Sequence, residues 1–121
     1  MAMNIAEKLQ IKPGQKVAAV GGDQPVPKGL LAGVEFVDDP ATADVVIAFV
    51  RRHAELTTAA KPALDAAAQD RPAWIAYPKG GKLGTDLNRD ILAAAVADAS
   101  LQPVRQVAVD EVWSALRFRP L

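Results

Sequence analysis

The run "DVVIAFV" at residues 44–50 constrains this chain more than any other stretch. After Asp44 it holds no polar side chain, and β-branched and aromatic residues follow one another without alternation. A strand with one wet face alternates apolar and polar residues. An unbroken apolar run of this length predicts a strand buried on both faces, as in a parallel sheet with helices above and below. "AWIAY" at 73–77 has the same character. Between the two runs, Leu56, Ala59, Ala60, Ala63, Leu64 and Ala67 keep helical spacing from His53 to about Gln69. Pro62 lies inside that pattern and predicts a kink or a break into two pieces.

The remaining elements group around these strands. Ile5 and Leu9 suit a short amphipathic turn, Pro13-Gly14 a tight turn, and Val17 to Val20 a compact strand. "GGDQPVPKGLLAG" has four glycines and two prolines in thirteen residues, which leaves room for one helical turn near Leu30. "VEFV" at 34–37 is a second short strand, closed by Asp38-Asp39-Pro40. A helix is expected from about Asp86 to Ala99, with Leu87, Ile91, Ala94, Ala95 and Ala99 inward and Thr85 or Asp86 as its N-cap. "VRQVAV" and "WSALRFR", around Asp110-Glu111, read as an antiparallel pair. In the second, Ser114, Leu116 and Phe118 share one face, and Trp113, Ala115, Arg117 and Arg119 the other; Leu116 and Phe118 are assigned to the core. The order predicts one α/β domain over 1–121, with a mostly parallel sheet and a C-terminal antiparallel hairpin.

Composition narrows the partners. Lys plus Arg and Asp plus Glu each number 14, so no basic excess supports phosphate-backbone binding, and no nucleic-acid partner is expected. Cysteine is absent, and the one histidine has no cluster of carboxylates at ligand spacing, so no metal is expected. "MAMNIAEKLQ" lacks the pattern of a secretory leader, and "ADVVIAFV" is too short to span a bilayer. The expectation is a cytoplasmic protein without a membrane partner.

In open α/β sheets, ligands bind outside the carboxyl ends of the strands. Arg51, Arg52 and His53 follow the first buried run, and Pro78, Lys79, Gly80, Gly81 and Lys82 the second. If the two runs are neighbours, four cations converge, and a helix N-terminus close by adds amide donors. Arg51, Arg52, Lys79, Lys82 and Thr85 therefore form a candidate anion crevice. The same residues also suit a solvated strand-to-helix turn, because "GGKLGTD" matches no phosphate-loop pattern. His53 is either a general base or an exposed loop residue. Ser114 has no identifiable base beside it, so no catalytic residue is assigned.

The order of elements resembles a class I S-adenosylmethionine-dependent methyltransferase, with "LQIKPGQKVAAVGG" similar to the lead-in of that family's first motif and "ADVVIAFVRRHAEL" to its fourth strand and following helix. The resemblance implies a three-layer Rossmann-like fold of minimal methyltransferase-like topology. Where that motif has Gly-x-Gly-x-Gly, this chain has Gly21-Gly22-Asp23 followed by Gln24, Pro25, Val26 and Pro27. The expectation is a domain without a cofactor, S-adenosylmethionine included. A similarity over nearly the whole chain is to a small bacterial family of unknown function, carried by "AYPKG", "TDLNRD" and "VDEVWSALRF". It marks Asp86, Arg89, Asp110, Trp113 and Ser114, with Lys79, as a distinctive polar set. Asp86 and Arg89 are placed to pair with each other or with the Asp110 loop as a clasp.

Three functions follow from this reading. The first is a non-catalytic domain binding a small anion or a protein partner at the strand ends. The second is a small enzyme acting on a phosphate- or carboxylate-bearing substrate. The third is a homodimeric module using a sheet edge and the Trp113/Arg117/Arg119 face.

Overall fold

A computed structural model describes residues 5–21 and 34–121. The helical turn expected near Leu30 lies outside the described residues. Six strands form one sheet in the order β2-β1-β3-β4-β6-β5: β1 (Lys16–Gly21), β2 (Glu35–Phe36), β3 (Val45–Phe49), β4 (Ala73–Pro78), β5 (Leu101–Ala108) and β6 (Trp113–Pro120). β2, β1, β3 and β4 run parallel; β6 pairs antiparallel with both β4 and β5, so it alone is reversed. This is the mostly parallel α/β sheet with an antiparallel C-terminal hairpin that the sequence predicts.

The two unalternating runs are adjacent, with Ile47 opposite Trp74 and Ala48 opposite Ile75, and every residue of both strands is buried. Helices cover both faces, as the lack of alternation requires. On one face α2 (Lys61–Ala68) and α3 (Arg89–Ala97) pack Ala63, Ala66, Ala67, Leu92 and Val96 onto Val46, Ala48, Ile75, Leu116 and Phe118. On the other, α1 (Ile5–Lys8) and the turn after it bring Leu9 and Ile11 onto Val45, Ile47, Trp74 and Trp113. Leu116 and Phe118 face the core as expected.

One expectation about elements is met and two need correction. The break into two pieces expected at Pro62 is present: a 3-10 turn (His53–Thr57) is followed by α2, with the break before Pro62. An interior proline clashes with the carbonyl four residues back, here that of Thr58. The chain leaves helical geometry at Thr58 (φ −123°, ψ −82°) and restarts so that Pro62 lies in the first turn of α2, where a missing N–H costs little.

α3 begins at Arg89 with Asn88 as its N-cap, not Thr85 or Asp86. Asn88 is extended (φ −146°, ψ 179°), and its side-chain oxygen accepts from Ile91 N at 2.8 Å. The later start turns the helix, so Leu92 and Val96 are buried, while Ile91 is 39% exposed and Ala94 and Ala99 face solvent.

Of the Trp113/Arg117/Arg119 face, Trp113 is buried, Arg117 half-buried and Arg119 exposed. β6 lies inside the sheet, and Trp113 is 6% exposed with its ring edge-on to Phe49, centroids 5.3 Å apart. β5 is the sheet edge on that side. It begins at Leu101, earlier than the sequence suggests, and carries a register shift between Pro103 and Arg105.

Candidate functional site

Because β3 and β4 are neighbours, the loops that follow them meet. The first is organised by Glu55. This carboxylate is 9% exposed, and its Oε1 accepts from the amides of Arg51 (2.9 Å) and Arg52 (2.8 Å), anchoring the chain as it leaves β3. The second loop turns back through Gly80, Gly81, Leu83 and Gly84, all at positive φ. Gly84 matters most in this turn. Its φ is +68°, and a Cβ would lie 3.4 Å from Arg51 Nη1, which donates to Leu83 O at 2.8 Å. Thr85 Oγ1 donates to Arg51 O (2.5 Å) and accepts from Leu87 N (3.0 Å), and Asp86 Oδ1 accepts from His53 N (2.8 Å).

Of the expected crevice, Arg51 and Thr85 therefore stitch the two loops together. Arg52 and Lys82 are exposed, and His53 is exposed at the start of its turn. Lys79 engages the β5–β6 turn. Its ammonium donates to Asp110 O at 2.5 Å, while its amide donates to Val112 O at 2.7 Å. The Lys79 ammonium is thus held by the β5–β6 turn, while Arg51 is held by Leu83 O. Asp110 shapes that turn, with Oδ1 accepting from Val112 N (2.8 Å) and Trp113 N (2.7 Å). The Asp86–Arg89 pair is not formed. Asp86 holds His53, and Arg89 Nη1 lies 3.9 Å from Asp90 Oδ1 at the surface. The clasp is Lys79 with the Asp110 loop.

A cleft of about 470 Å³ opens beside Lys79. Tyr77, Lys79 and Gly80 from the end of β4, Asn88 and Arg89 from the start of α3, and Gln106 to Ala108 with Ser114 from the hairpin line it. The strand register builds its wall. Tyr77 pairs with Ser114, Ser114 pairs with Ala108, and Gln106 lies opposite Leu116 on the same face. Gln106 Nε2 donates to Tyr77 Oη (3.2 Å) and Ser114 Oγ (3.3 Å), and Ser114 Oγ donates to Val107 O (3.2 Å). Tyr77 is 3% exposed and Ser114 5%. The lining brings two cations and several polar donors together, and among the described residues it includes neither an acid nor a histidine.

Lys79, Arg89 and Ser114 were legible as distinctive residues. Tyr77, Asn88 and Gln106 were not singled out. Tyr77 reads as part of a buried run and Gln106 as an ordinary strand residue, and their meeting depends on a pairing that no local pattern encodes. Among the described residues, no group of acidic, histidine or cysteine side chains is arranged to hold a metal ion. None of the described helices is long and apolar enough to cross a membrane.

A six-stranded sheet, mostly parallel with one reversed strand inside the far edge and helices on both faces, defines a Rossmann-like fold. Among solved structures, the chain is similar to a protein of the NADB-Rossmann superfamily from Streptococcus agalactiae. That match has a TM-score of 0.50 and 10% identity, over 99% of this chain and 68% of that one. It is also similar to the fibrillarin pre-rRNA processing protein of Methanococcus jannaschii (TM-score 0.49, 12% identity, 100% of this chain and 71% of that one). A third similarity is to LepI in complex with SAM (TM-score 0.44, 17% identity, 97% of this chain and 39% of that one). No protein-family profile matches the chain, and no curated protein matches it by sequence. At these identities the likeness concerns the fold.

The methyltransferase resemblance implies a methyl donor held beyond β1 and β2. Both acids after β2, Asp38 and Asp39, are exposed, and Asp39 closes its own turn, with Oδ1 accepting from Ala41 N at 2.9 Å. The segment that follows β1, residues 22–33, lies outside the described residues.

Proposed function

We propose that this protein is a non-catalytic binding domain that receives a small anion in the cleft between Lys79, Arg89 and the β5–β6 hairpin. The observation that carries this reading is the cleft's chemistry. Two cations from separate elements and a wall of hydroxyl and amide groups meet at the carboxyl end of the sheet. Lys79 is already oriented through Asp110 O, and the ammonium keeps two further protons for a ligand. The guanidinium of Arg89 offers the planar fork that suits a carboxylate or phosphate. A partner protein presenting a carboxylate would meet the same groups. The enzyme alternative gives the proton-moving role to His53 or Asp110, and neither lines this cleft.

Calorimetric titration with inorganic phosphate and with acetate at low salt tests the proposal. Saturable binding on the order of millimolar or tighter is expected for at least one of them. Arg89→Ala should weaken it roughly fivefold or more. Binding that ignores Arg89→Ala overturns the assignment to this cleft, and micromolar binding of S-adenosylmethionine overturns the reading of a domain without that cofactor.

A further inference from the structure

The hydrogen bonds of the cleft wall leave one donor over. Both hydrogens of Gln106 Nε2 are engaged, one by Tyr77 Oη and one by Ser114 Oγ, and the Ser114 hydrogen goes to Val107 O. Tyr77 Oη thus accepts a bond, and its own hydrogen has no acceptor among the described residues. A buried hydroxyl without an acceptor is unfavourable, and Tyr77 is nearly fully buried while lining an open cleft. A phenolic hydroxyl donates to neutral and anionic oxygens alike, and with the two cations taking an anionic head it is left for a further oxygen of the same ligand. The two cations stand in the same cleft, on the neighbouring loop and the first turn of α3.

We infer that the cleft recognises a two-point ligand: an acid whose anionic head meets Lys79 and Arg89, and whose second, uncharged oxygen accepts from Tyr77 Oη. Oxo- and hydroxy-acids, and phosphate esters carrying a hydroxyl, form this class. The inference rests on the anion-site reading above and adds to it the chemistry of the ligand's second group. Gln106 is a positioning residue here, because its amide occupies the lone-pair side of the phenol and so directs the hydrogen toward the cleft.

Matched probes separate the two layers of the argument. 2-Oxoglutarate is titrated against glutarate, and glycerol 3-phosphate against propyl phosphate. In at least one pair the oxygen-bearing member is expected to bind about fivefold to tenfold more tightly, the value of one hydrogen bond to an otherwise unpaired donor. Tyr77→Phe, which keeps the ring, should bind both members alike. Gln106→Leu, at an exposed position, should shrink the preference without altering the packing of the ring. Equal binding of both members of each pair by the unaltered protein overturns the two-point inference and leaves the anion site standing. A preference that survives Tyr77→Phe overturns the role of the phenol. If no member of either pair binds, the anion-site reading itself fails and takes the inference with it.

Discussion

Glu55 illustrates how one side chain can set the geometry of a strand end. A single carboxylate oxygen takes the amides of both Arg51 and Arg52 as the chain leaves β3. Removing the acceptor strands partly buried donors, and each costs about 1–3 kcal/mol. Glu55→Ala is therefore expected to lower the unfolding free energy by roughly 2–4 kcal/mol in urea denaturation, and Glu55→Gln, which keeps an oxygen, by roughly half as much. A change for Glu55→Ala of less than about 0.5 kcal/mol, the range of an ordinary surface substitution, would contradict this account of the loop. The same scale explains how the residues of the expected crevice are engaged. Sequence places Arg51, Lys79 and Thr85 at neighbouring strand ends, but the direction of each side chain depends on carbonyls contributed from distant segments. Arg51 finds Leu83 O, and Lys79 finds Asp110 O.

At the scale of elements, α3 separates what periodicity reveals from what it leaves open. Its helical spacing was plain, yet the apolar face was assigned one position out of phase because the start was placed too early. Thr85 and Asp86 were reasonable caps by residue type, but tertiary hydrogen bonds to the Arg51 carbonyl and the His53 amide hold them in the preceding segment. The corrected phase is testable by a paired substitution. Leu92→Ala is expected to destabilise by about 2–5 kcal/mol as a fully buried truncation. Ile91→Ala should cost less than about 1 kcal/mol, because its side chain keeps much of its contact with water. Equal losses for the two would restore the original phase. Pro62 offers a parallel check on α2. Pro62→Ala should change stability by less than about 1 kcal/mol, whereas relief of an interior helical proline would stabilise by about 3 kcal/mol.

For the whole molecule, the architecture was legible because two unalternating runs could only be strands covered on both faces, and the gaps between them were long enough for crossover helices. The reversed position of β6 was less accessible. Its two faces bury Leu116 with Phe118 on one side and Trp113 with Ala115 on the other, so Trp113 lies in the core and not on an open face. The insertion of β6 also makes the cleft, since it brings Ser114 beside Tyr77 and carries Gln106 within reach of both. With equal numbers of positive and negative side chains, the molecule has no global field to gather anions. Any attraction must be local to Lys79 and Arg89 and must fall with salt over a Debye length of about 8 Å at physiological ionic strength. The most direct test is an amide chemical-shift map of the labelled protein during titration with inorganic phosphate at low salt. The account predicts saturable shifts concentrated at Lys79, Gly80, Asn88, Arg89 and Ser114; shifts centred instead on Arg51, Arg52 and Lys82, or no localised shifts, would contradict it.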